Sequence, residues 1–374
     1  MAERRLAYLS LEAPRVGQAS HVHVSEIIAG LERRGWSVLL YRPSYTDRVV
    51  KPGTLRRLLE YALVQLRMWV GRRRGTAIYI RAHPMAFPTA LSAFLFRVPL
   101  VQEVNGTYED IFVTYPWLMP FRRLLEALQR RQYRWADHLL PVTRELADWL
   151  RREAGHGRIT VIPNGANTIL FRPQAPRPVE APEAPYAVFF GGLARWHGVE
   201  TMLAAVAHAD WPAGVVLTVI GDGREGPRVR EAAARNPAVV FAGYRPYAEV
   251  PGWVAGALCG LVPISDPGGR SRTGLYPLKL FETLACGIPV VVTDFPGQAD
   301  LVRDHGCGLV IPADDPASLA RAVARLSADP ETARGMGERG RCAVVGAHSW
   351  DARAGQTHEV LLRLCRSGLE KDAA

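Results

Sequence analysis

Lys279 and Glu282, three residues apart in a short apolar segment, are the pair best placed for chemistry on a charged small molecule. They lie in SRTGLYPLKLFETLACGIPVVVTD (271–294), which reads as a glycine-containing loop, a helix, a turn and a buried strand. The spacing puts ammonium and carboxylate on one helical face, and Leu280, Phe281 and Leu284 supply apolar packing beside them. Pro suits a first helical turn, so the helix is expected to start near Tyr276–Pro277, with Cys286-Gly287 as its stop. A helix start offers backbone N–H groups and partial positive charge to a diphosphate. A carboxylate one turn further in can accept hydrogen bonds from two adjacent ribose hydroxyls. The same residues also read as an ordinary loop–helix–strand unit with a surface Lys and Glu, since many helix starts hold no anion.

Three further sets carry polar groups to places where ligands bind. Arg195 and His197 lie in the loop GGLARWHG, facing a helix start at about Gly198, and a cationic pair there can hold phosphate. Glu103 and Asn105 alternate to the same side at the C-terminal end of an apolar strand, where open α/β sheets make ligand contacts. Gly17 and Gln18 fall in the first β–α loop, which can approach phosphate, and His23 sits at the entrance of the next helix. GxGxxG is absent, one glycine is a weak signal, and a single His at that place is more often a cap or packing residue than a ligand.

The elements around these residues follow a β–loop–α rhythm. Strands are expected at 6–11, 37–41, 77–81, 99–104, 136–142 and 159–165, with Thr143 capping the helix after the fifth. After FRPQAPRPVEAPEAP, five prolines with few apolar residues, the rhythm restarts with strands at 187–190, 215–220, 239–241, 258–263, 288–292 and 309–311, and helices at 315–326 and 350–369. The expected division is an N-terminal Rossmann-like domain at 1–171, a linker at 172–186, a C-terminal Rossmann-like domain at 187–346, and a C-terminal helix at 347–374 that returns to the first domain. Two α/β halves joined in this way favour a cleft between domains, with a nucleotide held on the C-terminal side.

Two helices are basic and amphipathic. In 54–74, Leu55, Leu58, Leu59, Leu63, Leu66 and Val70 recur at helical spacing among arginines. A basic amphipathic helix can lie on anionic lipid, but a helix flanking a buried sheet has the same pattern, and that second reading, with the leucines facing the sheet, is the preferred one. In 117–135, Trp117, Leu118, Met119 and Phe121 bunch beside Arg122 and Arg123, which makes this the better membrane or acceptor candidate. The most apolar stretch, 85–104, is broken by Pro88, Arg97, Pro99 and Glu103 and is not a membrane span.

Composition sets outer bounds. The 374 residues suit two domains, and 48% hydrophobic with 22% charged residues is ordinary globular chemistry. The net charge of +10, carried mostly by arginine, favours anionic partners. Five cysteines without a CxxC pair suggest neither a disulfide framework nor a zinc site, and the N-terminus shows no signal peptide, so a cytoplasmic protein is expected. No HExxH, EF-hand, Walker A or GxSxG motif occurs, and no Asp-x-Asp pair stands at a strand end, so no metal is expected. No aromatic–basic platform or groove-reading module points to nucleic acid.

Taken together these segments resemble the GT4 glycosyltransferases, which have the GT-B fold. The resemblance spans nearly the whole chain: VIPNG (161–165), GGLARWHG (191–198), VIGDG (219–223), FAG (241–243), PLKLFE (277–282), ACGIPVV (285–291) and FPG (295–297), with weaker matches at Gly17 to His23 and at EVNG (103–106). It implies an α/β protein with an interdomain cleft and retaining transfer from a UDP- or GDP-sugar, with no permanent cofactor. By resemblance Glu282 holds the donor ribose, Lys279 and the adjoining helix start at Leu278 lie near the diphosphate, and His197 replaces the usual Lys, with Arg195 two before it. Gly243-Tyr244-Arg245 matches the segment whose backbone meets the base, and Gly17 the loop that closes over the phosphates. Two positions depart from the family. Asn105 stands where many members have His, and Gly274 where many have the first Glu of an E-x7-E pair, which leaves donor-sugar contacts to the N–H groups of Leu275 and Tyr276.

The implied chemistry is loosening of the sugar–phosphate bond, with the diphosphate charge met by helix N-termini, Arg195, His197 and Lys279, and attack by an acceptor hydroxyl from the leaving-group side. A glycan or lipid-linked acceptor of the cell envelope, and peripheral contact with an anionic membrane on its inner face, are the expected partners. Sugar-nucleotide 2-epimerases share the architecture, and a non-catalytic nucleotide-sugar-binding protein is the third reading.

Overall fold

The β-branched and aromatic runs become the strands of two parallel sheets. The computed structural model describes residues 4–46, 52–73, 75–266 and 269–372. The chain divides into one unit of Met1–Pro163 with Asp351–Ala374 and a second of Asn164–Trp350.

In the first unit β1 (Arg4–Leu9), β2 (Trp36–Tyr41), β3 (Ala77–Arg81), β4 (Leu100–Val104) and β5 (His138–Pro141) form a parallel sheet of order β2-β1-β3-β4-β5. The helices are α1 (Ala19–Arg33), α2 (Thr54–Gly71), α3 (Phe87–Leu95), α4 (Glu109–Thr114), α5 (Arg122–Trp135) and α6 (Arg144–Ala154). Thr143 caps α6, accepting from the N–H of Leu146 at 3.1 Å. Right-handed crossovers put α2, α3 and α5 on one face of this sheet and α1, the one connection running the other way, on the opposite face.

The second unit holds β6 (Tyr186–Phe190), β7 (Val216–Ile220), β8 (Val239–Gly243), β9 (Cys259–Val262), β10 (Val290–Thr293) and β11 (Gly308–Ile311) in the order β11-β10-β9-β6-β7-β8. All the pairings are parallel. Its helices are α7 (Val199–Val206), α8 (Gly226–Arg235), α9 (Val250–Ala255), α10 (Leu278–Ala285), α11 (Gln298–His305), α12 (Pro316–Ala328) and α13 (Pro330–Ala347). The last helix, α14 (Trp350–Asp372), belongs to the first unit from Asp351 onward. There it packs on α1: a Cβ on Gly30 would fall 2.3 Å from that of Ala354, and Trp36 Nε1 donates to His358 Nδ1 at 2.9 Å.

Several expectations need correction. The units part at Pro163/Asn164 rather than 171/172, and 172–186 lies wholly in the second unit rather than between the two. Phe171 is fully buried against Tyr247 and Phe190, and Arg177 lies over the Tyr186 ring, so proline here stiffens a packed strap. Residues 159–165 form no strand, only one bridge from Ile159 to Leu139. In 117–135, Pro120 keeps Pro116–Phe121 in a 3-10 turn, and the α-helix starts at Arg122. In α2 the sheet-facing residues are Tyr61, Val64, Gln65 and Met68, whereas the six-residue leucine stripe faces solvent.

Candidate active site

In the second sheet the strand order reverses between β6 and β9, the point at which open α/β sheets leave a crevice at their carboxyl ends. The segment singled out by Lys279 and Glu282 stands beside it. Pro277 is the extended N-cap residue rather than the first helical one, and α10 runs from Leu278 to a stop at Cys286-Gly287. All eight residues of the helix are buried, so the reading of a surface Lys and Glu does not hold.

Lys279 is 8% exposed, its Nζ lies 3.7 Å from the centroid of the Phe189 ring, and that nitrogen has no hydrogen-bond partner among the described residues. Burial pushes its pKa down to about 7, against the opposing pull of Glu282. The aromatic face offsets part of the desolvation by cation–π attraction, but an ammonium is left facing the loop after β6. At Gly191, where φ is +116°, even a Cβ would touch Cε and Nζ of Lys279 at 3.6 Å. Only glycine suits that backbone, and it keeps the space beside the ammonium open.

Glu282, 3% exposed, accepts a hydrogen bond from Tyr247 Oη at 2.6 Å. Tyr247 lies in the loop that begins Gly243-Tyr244-Arg245 and packs on Phe171 at 5.4 Å. Sequence reasoning stopped two residues short of it, although its place in the same loop was the available signal. Asn164 is a second omission: its Nδ2 donates to the Tyr276 carbonyl at 2.7 Å and fixes the loop that enters α10.

The other expected residues of this unit fall as follows. His197 lies in the 3-10 turn Arg195–His197, where Nδ1 donates to the Gly192 carbonyl and the ring stands 6.3 Å from Phe189. When the ring is protonated, Nε2 is a second N–H donor beside Nδ1. The turn is locked at Gly198, where a Cβ would fall 1.8 Å from the Pro263 carbonyl, and by the Ser265 N–H donating to the Trp196 carbonyl at 3.0 Å. Arg195 is exposed on the same turn. The Gly243 carbonyl accepts from the Gly221 N–H at 2.8 Å, Tyr244 is exposed, and the Arg245 guanidinium lies over Trp253 at 5.5 Å. Gly274 ends the 3-10 turn Arg270–Thr273 with φ +75°, and Leu278 is buried at the head of α10. One expectation fails. The Leu275 N–H donates to the Pro296 carbonyl at 2.9 Å and pairs with Gly297 as a bridge, so it is spent within the protein and does not reach a sugar.

In the first unit Glu103 is the centre of a closed network. It is 2% exposed and accepts from Tyr79 Oη at 2.8 Å, Tyr8 Oη at 3.2 Å, Asn105 Nδ2 at 2.6 Å and Arg81 Nη1, with His23 Nε2 at 2.9 Å. Burial alone would raise its pKa; the charges of His23 and Arg81 and the hydrogen bonds outweigh burial and hold it well below the usual carboxylate range. With its lone pairs occupied, Glu103 is a positioning residue and not a free catalytic carboxylate, as its place at the strand end had suggested. His23, 4% exposed, is turned onto Glu103 and not towards a ligand. Asn105 is exposed, and because its Nδ2 is held by Glu103 its Oδ1 is the outward group. Gly17 has φ +82°, and Gln18 is the N-cap residue of α1, with Oε1 accepting from the Arg15 N–H at 2.8 Å. Arg81, paired also with Glu12 at 3.2 Å, was not anticipated, nor was His83, whose pKa burial lowers to about 4. Both stand at the end of β3, which the strand-end rule already marks.

Chemically, the second unit offers a buried ammonium without an internal counter-ion hydrogen-bonded to it, a helix start, and a carboxylate held in place by a phenol. That set matches a diphosphate and a vicinal diol. Among the described residues no group of three or more His, Cys, Asp or Glu is arranged to hold a metal ion.

Comparisons with known proteins agree with this arrangement. The family described as Glycosyltransferase Family 4 matches residues 20–169, and the family described as Glycosyl transferases group 1 matches residues 184–329. D-inositol 3-phosphate glycosyltransferase of Streptomyces bingchenggensis is 29% identical over 62% of this chain, and the match spans about half (54%) of that relative's length. Alpha-maltose-1-phosphate synthase of Mycolicibacterium smegmatis is 26% identical over 95% of this chain and 98% of its own. Among solved structures, sucrose-phosphate synthase from Thermosynechococcus elongatus superposes with a TM-score of 0.76 at 19% identity, covering 97% of this chain and 100% of that one. HepE of Anabaena in complex with UDP gives 0.70 at 16%, covering 96% and 100%. With one family match on each unit and a parallel, Rossmann-like sheet in each, the chain belongs to the GT4-type glycosyltransferases and has the GT-B fold.

Proposed function

We propose that the protein transfers a sugar from a UDP- or GDP-sugar to a hydroxyl of a glycan or lipid-linked acceptor, with retention at the sugar carbon and without a resident metal. The observation that carries this reading is the buried Lys279 ammonium at the head of α10, with no hydrogen-bond partner among the described residues and Glu282 one turn further on. An ammonium is desolvated at a cost unless an anion completes it, and a diphosphate reaching the helix start would do so. Lys279 and His197 then stabilise charge developing on the departing diphosphate. Arg195, exposed on the same turn, adds positive charge. Glu282, fixed by Tyr247, accepts from the ribose hydroxyls, and Gly243, Tyr244 and Arg245 flank the base. Asn105 Oδ1 is the outward polar group of the first unit and accepts from a sugar or acceptor hydroxyl. HepE, which shares the fold, has been solved in complex with UDP and with UDP-glucose.

A thermal-shift panel of UDP-, GDP- and ADP-sugars tests the donor, because a ligand of the folded state raises the melting point. One nucleotide series is expected to stabilise; no shift with any of them overturns the reading. Measuring nucleotide release with and without acceptor extracts then separates transfer from 2-epimerisation, which releases UDP without acceptor. Tight donor binding with no turnover across the panel marks a binding protein.

A further inference from the structure

The leucine stripe of α2 is expected from its spacing to cover the sheet, and it does not. Leu55, Leu59, Leu66 and Val70 lie on the solvent side, with Leu55 83% and Val70 80% exposed. A stripe of this length on one helix is far from the scattered apolar residues of an ordinary surface.

The stripe is continued on both sides. At the far end of α2, Trp69 contacts Phe96 with ring centroids 6.0 Å apart, and Phe94 stacks on Trp135 at 5.4 Å, so the exposed Phe94, Leu95 and Phe96 join the ends of α2, α3 and α5. At the near end, Arg57 donates to Tyr115 Oη at 3.1 Å, which ties the start of α2 to the turn Pro116–Phe121. That turn exposes Trp117, Met119 and Phe121, and Leu124 follows on α5. Since α2, α3 and α5 share one face of the sheet, these groups lie on one side of the first unit.

Arginines border them. Arg56 and Arg67 on α2, Arg97 after α3, and Arg123, Arg131 and Arg134 on α5 are all exposed. The acidic residues of α2 and α5 are Glu60 and Glu126, and both are engaged, Glu60 by Ser44 and Glu126 by Arg122. Among the described residues, the opposite face of the sheet, covered by α1 and α14, carries no such stripe of exposed large hydrophobic residues. No described helix is long and apolar enough to cross a membrane.

We infer that the α2–α3–α5 face of the first unit is a docking surface for an anionic lipid bilayer, with the Leu, Phe and Trp side chains entering the headgroup–acyl boundary and the arginines reaching phosphate. Apolar area plus cationic border is what an interfacial surface requires. A second copy of the chain fits less well, because a two-fold contact would set this cationic border against itself on a protein of net charge +10. The inference is independent of which nucleotide sugar the second unit holds.

Flotation of the full chain with phosphatidylcholine vesicles, with and without phosphatidylglycerol, tests it. The protein is expected to float with the anionic vesicles and to weaken as salt rises. Leu59→Glu with Leu66→Glu, both solvent-facing, is expected to lower vesicle affinity by at least about tenfold while the melting temperature and its nucleotide-induced shift stay unchanged. Arg123→Gln with Arg131→Gln is expected to weaken anionic binding only. Absence of binding to either vesicle overturns the inference. So does a Leu59/Leu66 variant that floats like the wild type, since charge alone would then suffice. Self-association that the leucine substitutions abolish, without flotation, would assign the face to a second copy instead.

Discussion

The two sheets each bring charged side chains to their carboxyl ends, yet they treat those charges in opposite ways. In the first unit Glu103 is buried with His23, Arg81, Tyr8, Tyr79 and Asn105 directed at it, so its negative charge is answered within the protein. In the second, Lys279 is also buried but rests on the face of Phe189 with no hydrogen bond to its Nζ among the described residues. A closed network gives stability and fixes the shape of a strand end; an ammonium left open costs stability and waits for an anion. Lys279 is one of only three lysines in a chain that otherwise uses arginine. A compact ammonium can lose its proton when the site is empty, which a guanidinium cannot do.

The largest effect should come from breaking the closed side. Glu103→Ala leaves Arg81 and His23 without their buried partner, and a loss of about 3–5 kcal/mol in urea unfolding is expected. A variant of unchanged stability would remove the network from the account of the fold. Because the folded-state pKa of Glu103 is depressed, its contribution is present above its unfolded value of 4.5 and is lost as pH falls below it.

On the open side the sign should reverse. Lys279→Met replaces an uncompensated charge by an apolar side chain, so the empty protein should keep or gain melting temperature. The same variant should lose sugar transfer by about two orders of magnitude, comparable with removing one preorganised donor. Glu282→Ala should lose transfer to a similar extent. Wild-type rates in either variant would exclude the residue from the site, and a destabilised Lys279→Met would mean that the ammonium is internally satisfied after all.

Titration sharpens the same contrast. The folded-state pKa of Lys279 is about 7 against an unfolded 10.5, so between these values the unfolded chain binds the extra proton and stability rises with pH. A diphosphate in the site favours the charged form. Binding above pH 7 therefore takes up a proton, and affinity for a UDP-sugar should fall by up to about tenfold per pH unit there. Calorimetric titrations in two buffers of different ionisation enthalpy would read this uptake directly, and none would be seen in Lys279→Met.

Much of this was legible in the residues. The β–loop–α rhythm, the stop at Cys286-Gly287 and the shared face of Lys279 and Glu282 follow from local rules, because each depends on spacing within a few residues. Three features depended on tertiary placement and were not legible. Periodicity shows that α2 has two faces but not which one meets the sheet, and Tyr61, Val64 and Met68 pack there in place of the leucines. Strand alternation put Glu103 and Asn105 on one side without showing that Tyr8, Arg81 and His23 arrive from three other segments to occupy the first of them. The proline-rich stretch read as a link because composition reports polarity, whereas the burial of Phe171 beneath Tyr247 ties it to the second unit.

The smallest expected effect isolates how Glu282 is aimed. Tyr247→Phe removes one hydrogen bond and leaves the ring against Phe171, so the cost to stability should be near 1 kcal/mol. If Tyr247 only positions the carboxylate, donor affinity should fall by about fivefold, the same order as that bond. The effect should vanish in a Glu282→Ala background, because the pair acts as one unit. Calorimetric titration of the four proteins of this cycle with one UDP-sugar gives the coupling. A loss in Tyr247→Phe that persists without the carboxylate would show that the phenol itself touches the donor, and the second unit would then present two polar groups to the nucleotide where only Glu282 has been counted.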